Sequence, residues 1–492
     1  MKPLEVLAVA SEMSPLVKTG GLADVVGALP AALRAEGVET RTLLPGYPDV
    51  IAALGAGETS LAFDDLFGGP AWLHEGRLGE DVIYTLVAPH LYARAGGLYT
   101  DANGVDYPDN AFRFAALAWV GAEIAQGALA DFLPDVLHAH DWQAALAPAY
   151  LHYSGRPRPA TIVTVHNIAF QGQFAKELLD DLRLPPQSFQ MEGVEYYGAI
   201  GFLKAGLQLC DRITTVSPSY ALEIETPEFG MGLDGLLRAR ANVVSGILNG
   251  VDEAVWSPAT DSRIAARYDA GRLDRRAKNK ATLQRRLHLD ADPEAFVLGV
   301  VSRLSWQKGH DMLLATLPAL MARRVQLALI GTGDKHLEES FLAAQDAYPG
   351  RVAVTIGYSE DMAHLIQAGA DAFLVPSRFE PCGLTQLYAL RYGAVPIVSR
   401  LGGLKDTIVD ANEMALQAGV ATGFQFSPPS AEALALALRQ AERVFRDKET
   451  WRSLQVNGMK TDVSWRHPAR RYAALYREAV SGDAVPSLSL PR

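Results

Sequence analysis

Residues 4–30 read LEVLAVASEMSPLVKTGGLADVVGALP, and this stretch decides the fold class. An apolar run leads into a turn that contains Gly20 and Gly21, and a helical pattern follows. Residues 395–408 repeat that order in VPIVSRLGGLKDTI, with the same Gly-Gly-Leu-x-Asp turn. A strand that passes through a short turn into a helix is the building unit of α/β folds. Its presence near both ends of the chain predicts two such domains.

Further apolar runs alternate with helical patterns along the chain. In the first half they start near residues 40, 82, 135, 161, 212 and 245, and in the second half near 296, 326, 352 and 372. Most are continuous rather than alternating, which is typical of parallel strands covered by helices on both faces. The sequence therefore predicts two doubly wound parallel-sheet domains. We expect the boundary between Asn249 and Phe296, where the charged segment 267–296 predicts a helical connection.

Composition excludes several classes of protein. The 492 residues carry a net charge of -11, which argues against nonspecific binding to nucleic acid or to an anionic membrane. The two cysteines, Cys210 and Cys382, are too few for a disulfide framework and fit a reducing cytoplasm. Glu5 and Glu12 interrupt any signal-peptide pattern. Residues 115–130 are apolar but contain Glu123, and they predict a buried helix rather than a membrane span.

The Gly-Gly turns have two possible roles. Ligands of open parallel sheets bind beyond the carboxyl ends of the strands, where a helix N-terminus attracts phosphate. Alternatively, paired glycines simply permit a tight turn from strand to helix. Lys18 favours anion binding at the first turn, and Gly21 and Asp24 complete that candidate site.

Residues 300–309, VVSRLSWQKG, place Arg303 and Lys308 just after a predicted strand. An arginine that can bind two oxygens and a lysine that supplies a point charge suit a diphosphate. The alternative is a solvated basic turn. The position at the end of a strand favours the diphosphate site.

Residues 375–385, VPSRFEPCGLT, end a strand and begin a helix. Glu380 precedes the helix N-terminus, where the helix dipole stabilises a carboxylate, and it could accept hydrogen bonds from sugar hydroxyls. The amides of Gly383, Leu384 and Thr385 would face a phosphate beside it, next to Cys382. The alternative is that Glu380 is an ordinary residue of a helix N-terminus.

Polar residues also end strands of the first half. His138, His140, Asp141 and Trp142 lie in HAHDWQ, His166 and Asn167 in VTVHNIAFQG, and Asn249 in ILNGVD. A sugar could stack on the indole and bind the polar groups. His138 and His140 share a strand face, but no further ligands stand at suitable spacing, so we predict no metal. For His138 a buried structural role is the preferred alternative.

Together these stretches resemble the bacterial glycogen synthases and plant starch synthases. The resemblance is carried, in order, by KTGGLADVVGALP, HAHDWQ, TVHNIAFQG, PEFGMGLDGLL, ILNGVD, SRLSWQKG, PSRFEPCGLTQLYAL and GGLKDTI. It implies a GT-B fold with two Rossmann-like domains facing a deep cleft. The implied domains are 1–250 on the acceptor side, 251–462 on the donor side, and a C-terminal helix in 463–492 that crosses back to the first domain.

The resemblance also implies a reaction. Glucose is transferred from ADP-glucose to the nonreducing end of glycogen or a maltooligosaccharide, with retention, and ADP is released without a cofactor. Lys18 and Gly21 would approach the donor, and His166 would lie near the transferred glucose. Arg303 and Lys308 would hold the diphosphate, Glu380 the glucose, and residues 383–385 the phosphate. Tyr358, in TIGYSE, would border the adenine.

One feature of the sequence bears on the mechanism. Many retaining GT-B enzymes carry a second acidic residue in the helix after the first glutamate, but here that position is Tyr388, and Gln386 is neutral. Glu380 and Asp141 are the candidate nucleophiles for double displacement, and neither is compelling. We therefore expect same-face substitution, in which fixed cations stabilise the leaving ADP in place of a metal.

Three rival functions stay open at this point. They are a UDP-glucose-dependent transferase, a catalytically idle glucan-binding regulator and a nicotinamide dehydrogenase. A dehydrogenase is disfavoured because no G-x-G-x-x-G follows the first strand. The sequence does not predict the oligomeric state.

Overall fold

The computed structural model describes residues 3–55 and 57–482. The strands are β1 (Leu4–Val9), β2 (Val38–Pro45), β3 (Glu58–Phe63), β4 (Ala71–Leu78), β5 (Asp81–Val87), β6 (Val136–His140), β7 (Ala160–Val165), β8 (Gln173–Phe174), β9 (Glu195–Tyr196), β10 (Ala199–Gly201), β11 (Arg212–Thr215), β12 (Val244–Gly246), β13 (Phe296–Val301), β14 (Val325–Gly331), β15 (Val352–Ile356), β16 (Ala372–Val375), β17 (Val395–Ser399) and β18 (Phe424–Phe426).

The helices are α1 (Gly21–Arg34), α2 (Pro48–Leu54), α3 (Pro89–Tyr92), α4 (Asn110–Ala125), α5 (Asp141–Ala144), α6 (Ala147–Tyr153), α7 (Phe202–Leu209), α8 (Pro218–Glu223), α9 (Asp234–Ala239), α10 (Arg276–Arg286), α11 (His310–Met321), α12 (Lys335–Ala347), α13 (Glu360–Gly369), α14 (Thr385–Tyr392), α15 (Gly402–Thr407), α16 (Glu413–Gln417), α17 (Ala431–Arg446), α18 (Lys448–Lys460) and α19 (Arg466–Ser481). Within the described ranges, no helix is both long and apolar enough to cross a membrane.

The chain forms two compact units. Unit 1 runs to Gly250 and resumes at Trp465, and unit 2 is Val251–Ser464. Helix α19 therefore belongs to unit 1, where it packs on α1, β6 and β7. The hydroxyl of Tyr476 lies 2.9 Å from Nδ1 of His138 across that interface. Residues 483–492, which the sequence assigns to the last segment, lie outside the described residues.

Unit 1 contains a nine-stranded sheet in the order β12-β11-β7-β6-β1-β2-β5-β4-β3. The strands from β12 to β5 are parallel, as predicted, whereas β4 and β3 pair antiparallel at one edge. The sequence analysis missed these two strands because they are partly exposed and lack a continuous apolar run. A separate small sheet has the order β8-β10-β9. Helix α4 is buried against the large sheet, which confirms the prediction for that segment.

Unit 2 contains a fully parallel sheet in the order β15-β14-β13-β16-β17-β18. This is the strand order of dinucleotide-binding folds. The charged segment 267–296 is part of this unit, because α10 packs on α13 and buried Lys280 pairs with Asp371 at 2.7 Å. The predicted helix exists, but it belongs to the core of unit 2 rather than to a linker.

Each sheet has a point where the strand order reverses. In unit 1 it lies between β1 and β6, and in unit 2 between β13 and β16. Chain connections leave these neighbouring strands toward opposite sides, which opens a crevice at their carboxyl ends. The two Rossmann-like domains predicted from the sequence are confirmed, and each has one such switch point. The predicted cleft between them stays a prediction.

Candidate active site

The switch point of unit 2 holds a buried ion pair. Nζ of Lys308 donates to Oε2 of Glu380 at 2.6 Å, and Oγ of Ser377 donates to the same oxygen at 2.7 Å. Glu380 is 7% exposed, and Ser377 is fully buried. In the described part of the chain, Oε1 of Glu380 has no hydrogen-bond partner. One carboxylate oxygen is therefore fixed by the protein, and the other is available to a substrate hydroxyl.

Arg303 lies at the same edge of the sheet, after β13. Its side chain is exposed, and its guanidinium has no ion-pair partner among the residues that the structure describes. The positive charge of Lys308 is compensated by Glu380, whereas that of Arg303 is not. A bound anion could therefore pair with Arg303 alone, whereas it would share Lys308 with the carboxylate of Glu380.

Hydrogen bonds connect the loop that follows β13 to the loop that follows β16. The guanidinium of Arg378 binds both carboxylate oxygens of Asp311, at 2.7 and 2.6 Å, and its amide donates to the carbonyl of Gln307 at 2.8 Å. Gly309 has φ +70°, and a Cβ there would lie 2.0 Å from the carbonyl oxygen of Pro376. The approach of the loops that carry Lys308 and Glu380 therefore requires a glycine at this position.

The loop after Glu380 leads into α14 with open amides. Leu384 is the N-cap residue and makes no side-chain cap. The N–H groups of Gly383, Leu384 and Thr385 donate to no other group within residues 3–55 and 57–482. Nε2 of Gln386 donates to the carbonyls of Cys382 and Gly383, both at 3.0 Å, and so fixes the loop. Free amides at a helix N-terminus provide an anion site.

Tyr388 occupies the position at which the sequence resemblance led us to look for a second acidic residue. Its ring stacks on the indole of Trp256, with centroids 3.8 Å apart and planes at 5°. The ring is only 7% exposed and belongs to the core of unit 2. This face of α14 is therefore packed and offers no site for a second catalytic carboxylate.

The first Gly-Gly turn lies at the switch point of unit 1 and is occupied by a side chain. The carboxylate of Glu12, 3% exposed, accepts hydrogen bonds from the amides of Thr19 and Gly20, the Thr19 hydroxyl and the Tyr99 hydroxyl. Two of the amides that were expected to meet a phosphate are thus used within the protein. Sequence reasoning missed Glu12 because a lone glutamate after a strand carries no recognisable pattern.

Lys18 lies on the surface of the same turn. Its Nζ donates to Oδ1 of Asp24 at 2.7 Å, and the two side chains are 38% and 23% exposed. Exposed pairs of this kind are weak, so a ligand could exchange for Asp24 at little cost. Gly21 begins helix α1 directly beside this pair.

The two Gly-Gly turns differ in their surroundings. A Cβ at Gly403 would lie 2.3 Å from the carbonyl oxygen of Cys382, and the Gly403 amide donates to the carbonyls of Glu380 and Pro381. A Cβ at Gly20 would meet nothing within 4 Å. The second turn therefore serves a close backbone contact that supports the Glu380 loop. In the first turn, a side chain at Gly20 would meet open space, although Glu12 binds the backbone amide of that residue.

A histidine cluster lies at the carboxyl ends of β6 and β7. Nδ1 of His140 and Nε2 of His166 are 3.0 Å apart, and both rings are buried. Burial lowers the pKa of His140 to about 3, and burial together with His140 lowers the pKa of His166 well below its usual value. Both imidazoles are neutral at pH 7. Among the described residues, no group of three or more His, Cys, Asp or Glu could hold a metal ion.

Asp141 links the two strand ends. Its Oδ1 accepts from the amides of His166 at 2.6 Å and Asn167 at 3.4 Å. Burial raises its pKa to about 7 despite these bonds, and the carboxylate of Glu12 adds to the rise. Its backbone is left-handed, with φ +55°, which is uncommon outside glycine. Strained backbone and a shifted pKa coincide where function was predicted.

The remaining predicted residues fall in three different settings. Trp142 is 9% exposed and packs on Phe114 and Phe202, so it differs from the open stacking surface expected. Asn249 is 7% exposed, and its Oδ1 has no hydrogen-bond partner in the described part of the protein. Tyr358 follows β15 and is 65% exposed, with its hydroxyl bonded to Glu360.

Comparisons with known proteins identify the family of this chain. Residues 5–239 match the starch synthase catalytic domain family, and residues 284–455 match the glycosyl transferases group 1 family. A glycogen synthase of Rhodopseudomonas palustris is 61% identical over 490 residues, which cover 100% of both chains. The chain belongs to the glycogen synthase family of glycosyltransferases. A glycogen synthase of Methylocella silvestris is 58% identical over 98% of this chain and 99% of its own.

A solved structure supports the same family at the level of the fold. It is the catalytic domain of starch synthase IV from Arabidopsis thaliana, bound to ADP and acarbose. It has a TM-score of 0.87 and 29% identity, and the match covers 97% of this chain and 100% of that one. The two Rossmann-like domains are thus those of a GT-B glycosyltransferase, as the glycogen synthase resemblance implied.

Proposed function

We propose that this chain transfers glucose from ADP-glucose to the nonreducing end of an α-1,4-glucan, with retention of configuration and release of ADP. The observation that carries this proposal is the unit 2 switch point. There Lys308, Glu380 and the open amides of residues 383–385 combine charges and donors suited to a sugar diphosphate.

The diphosphate would bind Arg303, Lys308 and the N-terminus of α14. When phosphate approaches, it competes with Glu380 for Lys308, so the ammonium is shared between the carboxylate and the leaving group. Glu380 would direct its unbonded Oε1 to a hydroxyl of the glucose. The adenine would lie against Tyr358, near the end of β15.

Unit 1 would supply groups for the transferred sugar and its acceptor. His166 is neutral, so it can donate a hydrogen bond to a sugar hydroxyl or accept one without adding charge. Asn249 carries a buried Oδ1 that accepts no hydrogen bond from residues 3–55 or 57–482, and the amide of Asn167 donates to Asp141. We propose that these residues, with Lys18, Gly21 and Asp24, contact substrate from unit 1.

The chemical step would proceed on one face of the sugar. ADP begins to depart, positive charge develops at the anomeric carbon, and the acceptor hydroxyl attacks from the side of the leaving group. The departing phosphate takes the acceptor proton. Arg303, Lys308 and the helix amides lower the barrier because they stabilise charge on ADP, and one preorganised donor of this kind contributes about 3 kcal/mol.

The test is a coupled assay of ADP release from ADP-glucose with glycogen as acceptor. We expect turnover that survives exhaustive chelation and is competed by ADP much more strongly than by UDP. Stronger competition by UDP would favour a UDP-glucose enzyme. Binding of maltooligosaccharide without ADP release would indicate an idle glucan-binding protein. Cys210 and Cys382 are buried as thiols, which supports a reducing cytoplasm as the proposed location.

A further inference from the structure

Four arginines line one open groove on unit 2, where α11 packs against α17. The groove has a volume of about 530 Å³, and its lining consists of Arg323, Leu436, Arg439, Gln440, Arg443 and Arg446. A smaller extension of about 220 Å³ shares Arg323 and Arg439 with it. We call this feature the arginine groove. Because the whole protein carries a net charge of -11, the groove is a local reversal of sign.

One carboxylate compensates part of this positive charge. Glu442 is 4% exposed and pairs with Nε of Arg323 and with Arg446, both at 2.7 Å. The protein therefore holds these two guanidinium groups in place. Arg439 and Arg443 have no ion-pair partner within residues 3–55 and 57–482. Four arginines and one carboxylate leave an excess of three positive charges at these side chains.

The spacing of the arginines along α17 destabilises the helix. Arg439 and Arg443 are four residues apart, and Arg443 and Arg446 are three apart, so each pair brings like charges together on one face. Attraction to the helix dipole offsets this for Arg443 and Arg446, in the last turn, but Arg439 lies before that turn. The next acidic residue, Asp447, instead binds the amide and hydroxyl of Thr450. An anion bound between the arginines would remove the repulsion.

The arginine groove is separate from the candidate active site. Lys308 precedes α11 at the carboxyl ends of the parallel strands, whereas Arg323 lies between α11 and β14, at the amino ends. The 12 residues of α11 span about 18 Å between these two positions. Ligands of open parallel sheets bind at the carboxyl ends, so the proposed diphosphate site does not account for the groove.

The chemistry of the groove favours a small phosphorylated molecule. A guanidinium group binds two phosphate oxygens at once, and the volume is that of a small-molecule site. The net negative charge of the protein opposes a nucleic acid or an anionic membrane, whose charges would extend beyond the groove. Leu436 is 60% exposed at the groove, and Ala319 and Ala435 line the extension, so an uncharged organic part could pack beside the phosphate.

We infer that the arginine groove binds small molecules through their phosphate, at a site remote from the reaction. Two guanidinium groups are already fixed by Glu442, and the two others carry uncompensated charge. The inference does not depend on the proposed function, because none of the groove residues belongs to the candidate active site.

The experiment titrates the full chain with pyrophosphate in a calorimeter. The starting protein carries Lys308→Met, which weakens the proposed diphosphate site. Arg439→Gln/Arg443→Gln then removes two groove cations. The charge-matched control, Arg286→Gln/Arg324→Gln, removes two exposed arginines that do not line the groove. We expect the groove variant to raise the Kd for pyrophosphate about tenfold or more, and the control to change it less than about twofold.

Two further measurements locate the ligand and identify its class. In the wild type, pyrophosphate should slow hydrogen exchange in residues 316–323 and 435–446. Phenyl phosphate and inorganic phosphate distinguish the two sources of a phosphate group. Tighter binding of phenyl phosphate would indicate a phosphate ester, because its ring can pack on Leu436, and equal binding would indicate inorganic phosphate. Either result supports the site.

Stability without ligand separates binding from a structural role. Arg439→Gln/Arg443→Gln should melt no lower than its parent, because a repulsion is lost. A lower melting temperature with an unchanged Kd overturns the inference, because the arginines would then be structural. An equal rise of the Kd in the control also overturns it, since the binding would be nonspecific. So does a dimer in sedimentation that the groove variant dissociates while the Kd is unchanged, because the occupant would then be a second copy.

Discussion

Substituting alanine in each Gly-Gly turn tests whether the two turns have different roles. At Gly403 a Cβ would lie 2.3 Å from the carbonyl oxygen and 2.4 Å from the Cα of Cys382. These are backbone atoms, so the turn or the Glu380 loop must move. Gly403 is the second glycine of its turn, whereas Gly20 is the first glycine of the other turn. At Gly20 the backbone is extended, with φ -157°, and a Cβ meets open space.

The size of the Gly403→Ala effect follows from these contacts. Overpacking against backbone costs about 2 kcal/mol, and alanine recovers at most about 1 kcal/mol through its better helix propensity in α15. The remaining 1 kcal/mol or more should lower the melting temperature of unit 2, the segment Val251–Ser464, by about 2–4 °C. Displacement of the Glu380 loop should also raise the KM for ADP-glucose.

Calorimetry and the ADP-release assay together give two signatures. Gly403→Ala should change both the melting temperature and the KM. Gly20→Ala should have a melting temperature within about 1 °C of the wild type, because a substitution without clashes changes stability little. If the donor approaches Gly21, this variant should raise the KM for ADP-glucose and change nothing else. Wild-type stability and KM in Gly403→Ala would refute the assignment of the second turn to loop support. A stability loss in Gly20→Ala equal to that in Gly403→Ala would refute the contrast.

Three further substitutions address the charged groups. Lys308→Met should reduce kcat/KM by about 10²- to 10³-fold, measured by ADP release, because one cation on the leaving group is lost; a loss under tenfold would contradict its role. Asp141 has a pKa of about 7 in the folded protein, so between about pH 4 and pH 7 the folded carboxyl binds more protons than the unfolded one, and the stability of the wild type falls as pH rises. Asp141→Asn should flatten this pH dependence. Unfolding measured at several pH values checks this, and parallel plots of stability against pH for the two proteins would disprove it. Glu12→Ala should destabilise unit 1 by about 1–3 kcal/mol and increase hydrogen exchange at the Thr19 and Gly20 amides, because both amides lose their acceptor. Unchanged exchange would contradict this.

Sequence patterns predicted the fold, and they indicated the edge of each sheet where we propose the substrate site, because both predictions depend on local features. Continuous apolar runs specify buried parallel strands, and the strand ends then follow directly from the sequence. What the patterns did not reveal depends on tertiary contacts. Glu12 acquires its role by folding back onto the Thr19 and Gly20 amides. The exposed strands β3 and β4 are held by their neighbours rather than by their own hydrophobicity.

Trp142 is a second residue whose surroundings the sequence pattern could not predict. A tryptophan at a strand end can equally stack on a sugar or fill a core, and the pattern HAHDWQ does not distinguish these outcomes. Packing does, because Phe114 and Phe202 lie far away in sequence and close to the indole in the fold. An aromatic ring gains more free energy by burying its large apolar area between other rings than by facing solvent, so Trp142 packs in the core.

The switch points of unit 1 and unit 2 differ in their electrostatics. In unit 2, Arg303 has no compensating carboxylate among the described residues and the N–H groups at the start of α14 are open, so we propose that this edge binds the diphosphate. In unit 1, the amides of the first turn are bound to Glu12, and the buried imidazole of His166 stays neutral. Neutral hydrogen-bonding groups suit sugar hydroxyls and would not hold a phosphate strongly. We therefore propose that the strand-turn-helix units of unit 1 and unit 2 bind different chemical groups, and that Glu12, which occupies the Thr19 and Gly20 amides, contributes to the difference.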